Sequence, residues 1–321
     1  MNYVFGPVLS RRLGQSLGVD PIPQKTCNWN CIYCQLGRTT PLTDRVEEYY
    51  PREAIVAEIE EAVQTHGRAK IDWVSFVGSG EPTLHSGIGW MIRAVKERTG
   101  LPVAVITNGS LLYLPEVRKA LLPADVVLPS LDAGSETLFK KINRPHPEFT
   151  FERQIEGLVA FRREYEGELW IEVVLLAGLN DSEEALQDLA EVIGRIGPHQ
   201  VHLNLPTRPP AESWIEPAVE EGLLRARAIL GDVTRVFHGV EGTHELGGYD
   251  DVVTAILDII SRHPMSEEEL KQVLEEWFPG EIEDALAGLA ASGRAHVVER
   301  YGTRFWSGSD QTYAGDITDG V

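Results

Sequence analysis

Residues 71–82 read IDWVSFVGSGEP, a short run rich in β-branched and aromatic residues that closes on a glycine-rich turn. Its apolar positions are nearly continuous, as in a strand that is covered on both faces. Residues 88–99 follow with helical apolar spacing, and Gly100 after them is a stop signal for a helix. The stretch therefore predicts a strand, a turn and a helix of an α/β fold.

The same alternation continues along the chain. Further strand-like runs begin at Val103, Val126, Ile171 and Val201, and helical stretches separate them. Asp181 and Glu184 have the spacing of a capping box at the start of one such helix. Strands that alternate with helices predict a parallel sheet with right-handed crossovers. We interpret residues 1–245 as a partial (β/α)6 barrel of the TIM type, with its chemistry at the C-terminal ends of the strands.

The last part of the chain has a different pattern. A helical apolar face begins at Val252, and Ser266 with Glu269 forms a second capping-box pattern. A third helix is predicted to end at Gly293, and a hairpin to turn near Gly302. Three helices and a two-stranded wing predict a winged-helix domain over residues 250–308. Residues 309–321 are polar and are predicted to form a flexible tail.

Composition excludes some classes of protein. The 321 residues contain no apolar run long enough to span a membrane and begin with no signal-peptide pattern, so we expect a cytoplasmic protein with reduced thiols. The net charge is −20. From residue 251 onward fourteen acidic residues face five basic ones, a net of −9 that would repel a phosphate backbone. This charge disfavours DNA as a partner and favours protein or peptide contact.

All three cysteines lie within eight positions, as Cys27, Cys31 and Cys34 in a C-x3-C-x2-C pattern. The odd count and the expected reducing compartment disfavour disulfides. Structural zinc sites usually have four protein ligands, and cubane iron–sulfur clusters are also usually held by four thiolates. Three thiolates would leave one iron of a cubane without a protein ligand, and that position could bind a substrate or a cofactor.

The run CNWNCIYC resembles the signature of the radical S-adenosylmethionine (SAM) enzymes, with Tyr33 as its aromatic residue. The chain looks closest to the subgroup that contains the archaeal tRNA demethylwyosine synthases, on the segments that begin at Ser10, Gly78, Leu128, Ile142 and Pro206. The resemblance implies that the three cysteines bind a 4Fe–4S cluster. It also implies that the open iron binds SAM, whose reductive cleavage yields a 5′-deoxyadenosyl radical that abstracts hydrogen from a substrate.

Residues at the predicted strand ends are the candidates for SAM binding. Gly78 and Gly80 would let the backbone approach the ligand closely, and Glu81 would accept a hydrogen bond from the methionyl ammonium group. The resemblance implies further cofactor-binding roles for Tyr33, Asn108, Ser130, Asp132 and Gly178. Asp132 has an alternative interpretation as a residue that only starts a turn or caps a helix.

Three basic residues are candidates for substrate contact. Lys25 precedes the cysteine loop, Arg144 follows Asn143, and Arg208 lies in a proline-rich segment after the strand at Val201. Guanidinium groups suit an anionic substrate group, although each arginine could equally form a structural salt bridge.

The resemblance implies reduced ferredoxin or flavodoxin as the electron donor. We expect a peptide or protein substrate that contacts the winged helix. Modification of a tRNA base is the alternative, which the acidic charge and the lack of further cysteines for a second cluster disfavour. A small metabolite as substrate is also left open. A hypothesis of another class is an iron–sulfur-sensing regulator with the winged helix as its output.

Overall fold

A computed structural model describes residues 3–10, 12–236 and 251–314 of the chain. Eight strands form one sheet in chain order, in which β1 and β2 are antiparallel and all later neighbours are parallel. The strands are β1 (Val4–Ser10), β2 (Gly14–Val19), β3 (Trp73–Phe76), β4 (Val103–Thr107), β5 (Val126–Pro129), β6 (Glu168–Val174), β7 (Gln200–Asn204) and β8 (Thr234–Val236).

Helices connect the parallel strands and cover the outside of the sheet. They are α1 (Arg52–His66), α2 (Ile88–Thr99), α3 (Pro115–Leu121), α4 (Glu136–Ile142), α5 (Phe151–Glu164), α6 (Glu183–Ile196) and α7 (Glu220–Leu230). From β2 to α7 the described residues contain six successive strand–helix units, and β8 follows them. The predicted α/β fold with a parallel sheet is confirmed. Among the described residues, no helix is both long and apolar enough to cross a membrane.

Local sequence signals place most helix ends correctly. Helix α2 ends at Gly100, which adopts the left-handed conformation at φ 65° as a C-terminal glycine does. The start of α6 differs by one residue from the prediction. Its N-cap is Ser182, whose hydroxyl accepts from the Ala185 amide at 3.2 Å, while the Asp181 carboxylate accepts from the Gly178 amide at 2.8 Å. Both side chains suit a cap, so local spacing could not decide between them.

The N-terminal hairpin of β1 and β2 was not predicted, nor were α7 and β8. The hairpin contains proline and several glycines, which weaken its strand signal. One of these glycines is required by packing, because a Cβ atom at Gly18 would lie 2.1 Å from the Phe5 ring. This close approach across the two strands is a tertiary contact that sequence periodicity does not report.

The C-terminal module, residues 251–314, has its own apolar core. Its elements are α8 (Val252–Arg262), β9 (Met265–Ser266), α9 (Glu267–Leu274), α10 (Ile282–Ala291), β10 (Ala295–Arg300) and β11 (Thr303–Gly308). Buried Ile256, Leu270, Leu286 and Trp306 meet in that core, and the three strands pair in the order β10–β11–β9. The predicted domain boundary at 245–250 lies outside the described residues.

The predicted flexible tail of residues 309–321 differs from the structure in its first part. Tyr313 is fully buried, and its hydroxyl donates to the Gln35 carbonyl at 2.6 Å. The Arg38 amide donates to the Thr312 carbonyl at 2.7 Å. These bonds to a distant loop hold residues 311–314 in place despite their polar composition, and residues 315–321 lie outside the described part of the chain.

The capping box of α9 yields a stability prediction. The Ser266 hydroxyl accepts from the Glu269 amide at 3.1 Å, and the Glu269 carboxylate accepts from the Ser266 amide at 2.8 Å. We expect Ser266→Ala to lower the free energy of unfolding of the C-terminal module by about 1 kcal/mol, because the first turn of α9 loses its cap. Chemical denaturation measures the change. Ser309→Ala, at an exposed position of the same module, is the control; an equal loss in both variants would contradict the prediction.

Candidate active site

The three cysteines lie in the loop that connects β2 to α1, which we call the cysteine loop (residues 20–51). Each is a partly buried free thiol, and each sulfur lies close to a nitrogen donor. Lys25 Nζ is 3.4 Å from Cys34 Sγ, the Trp29 amide is 3.4 Å from Cys27 Sγ, and Asn143 Nδ2 is 3.7 Å from Cys31 Sγ. Donors in these positions can hydrogen-bond to the cysteine sulfurs of a bound cluster.

These surroundings fit an iron–sulfur cluster. Burial raises the pKa of Cys27 to about 12 and that of Cys31 well above its usual value, so without a cation the thiols stay protonated. Iron supplies the charge that a thiolate requires. Within the described residues no group of three His, Cys, Asp or Glu side chains is arranged to hold a single metal ion. Each thiolate on a cubane binds a different iron, so these thiols need not converge on one point.

The glycine-rich turn after β3 packs directly against the cysteine loop. The Lys25 amide donates to the Ser79 carbonyl at 2.7 Å, and the Glu81 amide donates to the Thr26 carbonyl at 2.9 Å. A Cβ atom at Gly80 would lie 1.9 Å from the Thr26 carbonyl oxygen, which is closer than any side chain allows. Gly80 is thus required by the backbone that leads into Cys27. From the sequence, Gly80 was expected only to let a ligand approach; the steric requirement depends on a tertiary contact.

Glu81 is fully buried and joins two strand ends. Its Oε1 accepts from the Thr83 amide at 2.9 Å, the Thr83 hydroxyl at 2.5 Å and the Thr107 hydroxyl at 2.6 Å. Its Oε2 accepts from the Asn108 amide at 2.6 Å. Burial raises the pKa of Glu81 while these donors lower it, and four donors on one carboxyl group favour the ionised form. Only Oε2 retains room for a further donor, which is where the predicted contact to an ammonium group would be made.

Asn108 is held beside the cysteine loop at the end of β4. Its Nδ2 donates to Asn28 Oδ1 at 2.6 Å and lies 3.9 Å from Cys27 Sγ. Its Oδ1 accepts from the Ser110 amide at 2.9 Å. Asn108 therefore couples the strand end to a cysteine.

Buried Asp132 and half-buried Tyr33 form a hydrogen-bonded pair. The Tyr33 hydroxyl donates to Asp132 Oδ2 at 2.5 Å, Asn143 Nδ2 donates to the same oxygen at 2.7 Å, and the Val174 amide donates to Oδ1 at 2.8 Å. Burial, together with the Asp132 charge, raises the pKa of Tyr33 well above its usual value, so the phenol stays protonated. Asp132 caps no helix; it ties the cysteine loop to β6.

One cavity of about 590 Å³ connects these groups. Most of the predicted cluster-binding and SAM-binding residues lie at the strand ends or in the loop around it. Its lining includes Cys27, Cys31, Tyr33, Cys34, Gly78, Gly80, Glu81, Asn108 and Ser130. Neither Asp132 nor Gly178 belongs to this lining; Gly178 is solvent-exposed at φ 68° in a turn. The predicted role of Gly178 at adenine stays a prediction.

The three predicted substrate residues fall in different places. Lys25 lines the cavity, and its Nζ donates to the Gly37 carbonyl at 2.7 Å. Arg208 also lines it and donates to the Pro264 carbonyl of the C-terminal module. Arg144 lies outside the lining and pairs at 2.5 Å with buried Glu212, the structural salt bridge that was the alternative interpretation. Their roles towards a substrate stay predictions.

Several residues of the site were not predicted from the sequence, among them Asp20, Asn28, Asn143 and Arg262. Asp20, at the end of β2, lines the cavity and accepts from the Ser79 amide at 3.1 Å and the Ser79 hydroxyl at 2.5 Å. Asn28 and Asn143 orient Asn108 and Asp132. Asn143 follows the segment start at Ile142 that carries the family resemblance, a signal that could have identified it. Arg262 enters the cavity from the C-terminal module, and nothing near it in the sequence indicates this.

The comparison with known families agrees with this geometry. The sequence profile described as the radical SAM superfamily matches residues 22–190, more than half of the chain. The chain therefore belongs to the radical SAM superfamily. Membership makes it an enzyme, and it implies S-adenosylmethionine and an iron–sulfur cluster as cofactors.

Proteins of different lengths are similar in sequence to this chain. UPF0026 protein MJ1312 of Methanocaldococcus jannaschii is 37% identical over 279 residues, which are 85% of this chain and 86% of that protein. A Brachyspira hyodysenteriae protein named GTPase Obg is 48% identical over 205 residues, but this chain covers only 30% of its length. A radical SAM methyltransferase from Sphaerobacter thermophilus superposes with a TM-score of 0.55 at 20% identity, over 69% of this chain and 66% of that one. That likeness shows the fold alone.

The contact at Gly80 leads to a test of cluster assembly. We expect Gly80→Ala to reduce the iron bound after anaerobic reconstitution by more than half, because the added methyl group displaces the Thr26 carbonyl next to Cys27. Iron per chain and the visible absorbance of the cluster measure this loss. Gly100→Ala is the matched control: its Cβ meets nothing within 4 Å, and its left-handed backbone costs only about 1 kcal/mol. Equal iron content in both variants would contradict the steric argument.

Proposed function

We propose that this enzyme binds one 4Fe–4S cluster through Cys27, Cys31 and Cys34 and modifies a peptide or protein substrate. The observation that carries the proposal is that all three thiols, with N–H donors beside their sulfurs, line the same cavity as the strand-end residues. When bound, the cluster would supply one electron, received from a reduced ferredoxin or flavodoxin, for cleavage of the SAM C5′–S bond to methionine and a 5′-deoxyadenosyl radical, which would take a hydrogen atom from the substrate.

The protein's own residues position and shield the reactants. Glu81 Oε2 is our candidate acceptor for the methionyl ammonium group, and the backbone of Gly78 and Gly80 borders the same position. Asn108, Ser130 and Tyr33 are candidates for the remaining polar contacts to SAM. Tyr33 lines the cavity with its hydroxyl bonded to Asp132, and it is also our candidate for shielding the cluster from water.

The architecture of the proposal is a partial (β/α)6 barrel followed by a winged helix. The six strand–helix units from β2 to α7 support the first part. The order helix, short strand, two helices and a hairpin, from α8 to β11, supports the second.

Charge favours a peptide or protein over a nucleic acid. Residues 251–321, which include the C-terminal module, have a net charge of −9, and the second helix of the module, α9, begins with three consecutive glutamates from Glu267. Lys271 in that helix is paired with Glu267 and Glu283. Such a surface disfavours both tRNA-base modification of the demethylwyosine-synthase type and operator binding by a cluster-sensing regulator. The three cysteines of the sequence also supply no thiolates for a second cluster.

Reductive cleavage of SAM tests the proposal. The anaerobically reconstituted protein is expected to bind about four irons per chain and, with dithionite and SAM, to release 5′-deoxyadenosine. Cys31→Ala should release at least a hundredfold less, because the cluster loses one of three thiolates. Liquid chromatography with mass spectrometry measures the product. Release of 5′-deoxyadenosine by Cys31→Ala at the wild-type rate, or none from a wild type with full iron content, would overturn the assignment.

Binding to tRNA separates the two substrate classes. A protein that acts on peptides should bind bulk tRNA weakly, with a dissociation constant that changes little between low and physiological salt. A tRNA-modifying enzyme would instead lose affinity steeply as salt rises, because phosphate contacts release counterions. Fluorescence anisotropy with labelled tRNA measures both cases, and a steep salt dependence would favour the tRNA alternative.

A further inference from the structure

The C-terminal module forms one wall of the cavity that contains the cysteines. Arg262, His263 and Met265, from the turn between α8 and β9, line it together with Lys25 and Cys34. The radical SAM profile ends at residue 190, so this wall belongs to a part of the chain outside the matched region. The module is therefore more than a separate domain attached to the barrel.

Two glutamines of the cysteine loop hold this turn in place. Gln35 Nε2 donates to the Arg262 carbonyl at 3.2 Å and lies 3.1 Å from His263 Nδ1. Gln24 Nε2 donates to the Ser261 carbonyl at 3.2 Å. Because these glutamines flank the cysteines in sequence, the position of the turn is coupled to the loop that would bind the cluster.

The side chain of Arg262 is held against β1 within the cavity. It is 15% exposed, pairs with Asp258 one helical turn earlier, and lies with its Cζ 5.1 Å from the centre of the Phe5 ring. The His263 ring centre is 6.0 Å from that of Phe5. Contact with both a carboxylate and an aromatic face fixes the guanidinium group, so little side-chain entropy remains to be lost when a ligand binds.

A second guanidinium group lies where the C-terminal module borders the cavity. Arg208 follows β7, lines the cavity, and donates to the Pro264 carbonyl two residues beyond Arg262. Its Nη1 is also 3.8 Å from Glu269 Oε2 of α9. Barrel and module thus each contribute one arginine to the same wall.

The cavity lining has more basic than acidic side chains, although the whole chain has a net charge of −20. Each of its three arginines also has a carboxylate partner outside the lining: Glu172 for Arg12, Glu269 for Arg208 and Asp258 for Arg262. Its lining contains Arg12, Lys25, Arg208 and Arg262, and its only lining carboxylates among the described residues are Asp20 and Glu81. Both carboxylates already accept hydrogen bonds from their own neighbours. A partly enclosed, positively charged wall attracts an anionic group far more strongly than an exposed one does.

We propose that Arg262 and Arg208 bind an anionic group of the substrate, a carboxylate or a phosphate, and that the C-terminal module is thereby part of the substrate site. The inference rests on the proposed function and narrows its substrate to anionic peptides or proteins. Guanidinium groups match both anions with paired hydrogen bonds. The acidic outer surface of the module repels a polyanion. A single anionic group that enters the cavity is instead attracted by the two arginines.

Deuterium transfer into 5′-deoxyadenosine can test this site before the substrate is identified. Extract from host cells grown in D2O is separated on an anion exchanger and given to the reconstituted enzyme with SAM and dithionite. Deuterium in 5′-deoxyadenosine then marks abstraction from a substrate. We expect the label to come from the retained fraction, and the labelled share of product to fall about tenfold in Arg262→Gln, as after loss of one charge-assisted hydrogen bond. Arg262→Lys should recover part of the label.

Treatments of the retained fraction distinguish the two anions. Amidation of carboxylates should remove the label if the group is a carboxylate, and phosphatase should remove it if the group is a phosphate. Label from the unretained fraction, label that only ribonuclease removes, or an equal labelled share in Arg262→Gln and wild type would each overturn the inference.

Arg294→Gln, at an exposed position of the same module, is the matched control. Failure of the proposed function itself is distinguishable, because no 5′-deoxyadenosine would then form.

A second measurement needs no substrate. Phenylglyoxal modifies arginine side chains, and mass spectrometry follows Arg262 and Arg294 in the iron-loaded protein. Acetate or inorganic phosphate, compared with chloride at equal ionic strength, should slow modification of Arg262 at least threefold and leave Arg294 unaffected. Equal slowing at the two positions would contradict an anion site. Circular dichroism and iron content verify that Arg262→Gln is folded.

Discussion

The site depends on the close backbone contact between the cysteine loop and the glycine-rich turn after β3. Two amide–carbonyl hydrogen bonds, from Lys25 to Ser79 and from Glu81 to Thr26, join these segments, and Gly80 provides the space for the Thr26 carbonyl. A long loop without regular structure loses much conformational entropy when it is ordered. Its anchoring to a strand end, rather than any strength of its own, is therefore what places Cys27 beside the residues at the ends of β3 and β4.

Two buried carboxylates, Glu81 and Asp132, also join the segments that form the site. Glu81 joins the ends of β3 and β4, and Asp132 joins Tyr33 and Asn143 to β6. A buried charge is tolerated only when hydrogen bonds replace its lost hydration, and each of these groups has at least three donors. If either carboxylate moved, its buried donors would lose their acceptor, which is energetically costly. The two carboxylates therefore hold the connected segments in fixed positions. Polar residues that resemble ligand contacts in the sequence therefore also hold the loops that form the site.

The C-terminal module also lines the site, through Arg262, His263 and Met265. Residues 311–314 and the turn at Arg262 contact the same cysteine loop, through Tyr313 and through Gln35. Two distant parts of the module thus contact the same loop of the α/β part of the chain. The acidic composition of the module describes its outer surface, while its one arginine in the cavity contributes the opposite charge to the interior. Net charge therefore gave no information on the chemistry of the cavity.

The sequence by itself determined the features that arise from local spacing. Apolar runs and glycine stops gave the alternation of strands and helices, Ser266 and Glu269 gave the cap of α9, and three closely spaced thiols with Tyr33 gave the superfamily. Tertiary structure alone decided what depends on residues far apart in the chain. It required Gly18 and Gly80 for close approaches, used Arg144 in an ion pair with Glu212, and brought Arg262 to the cysteines. The physical reason is that periodicity and capping act within a few residues, whereas steric fit, charge pairing and burial depend on which distant segments the fold brings into contact.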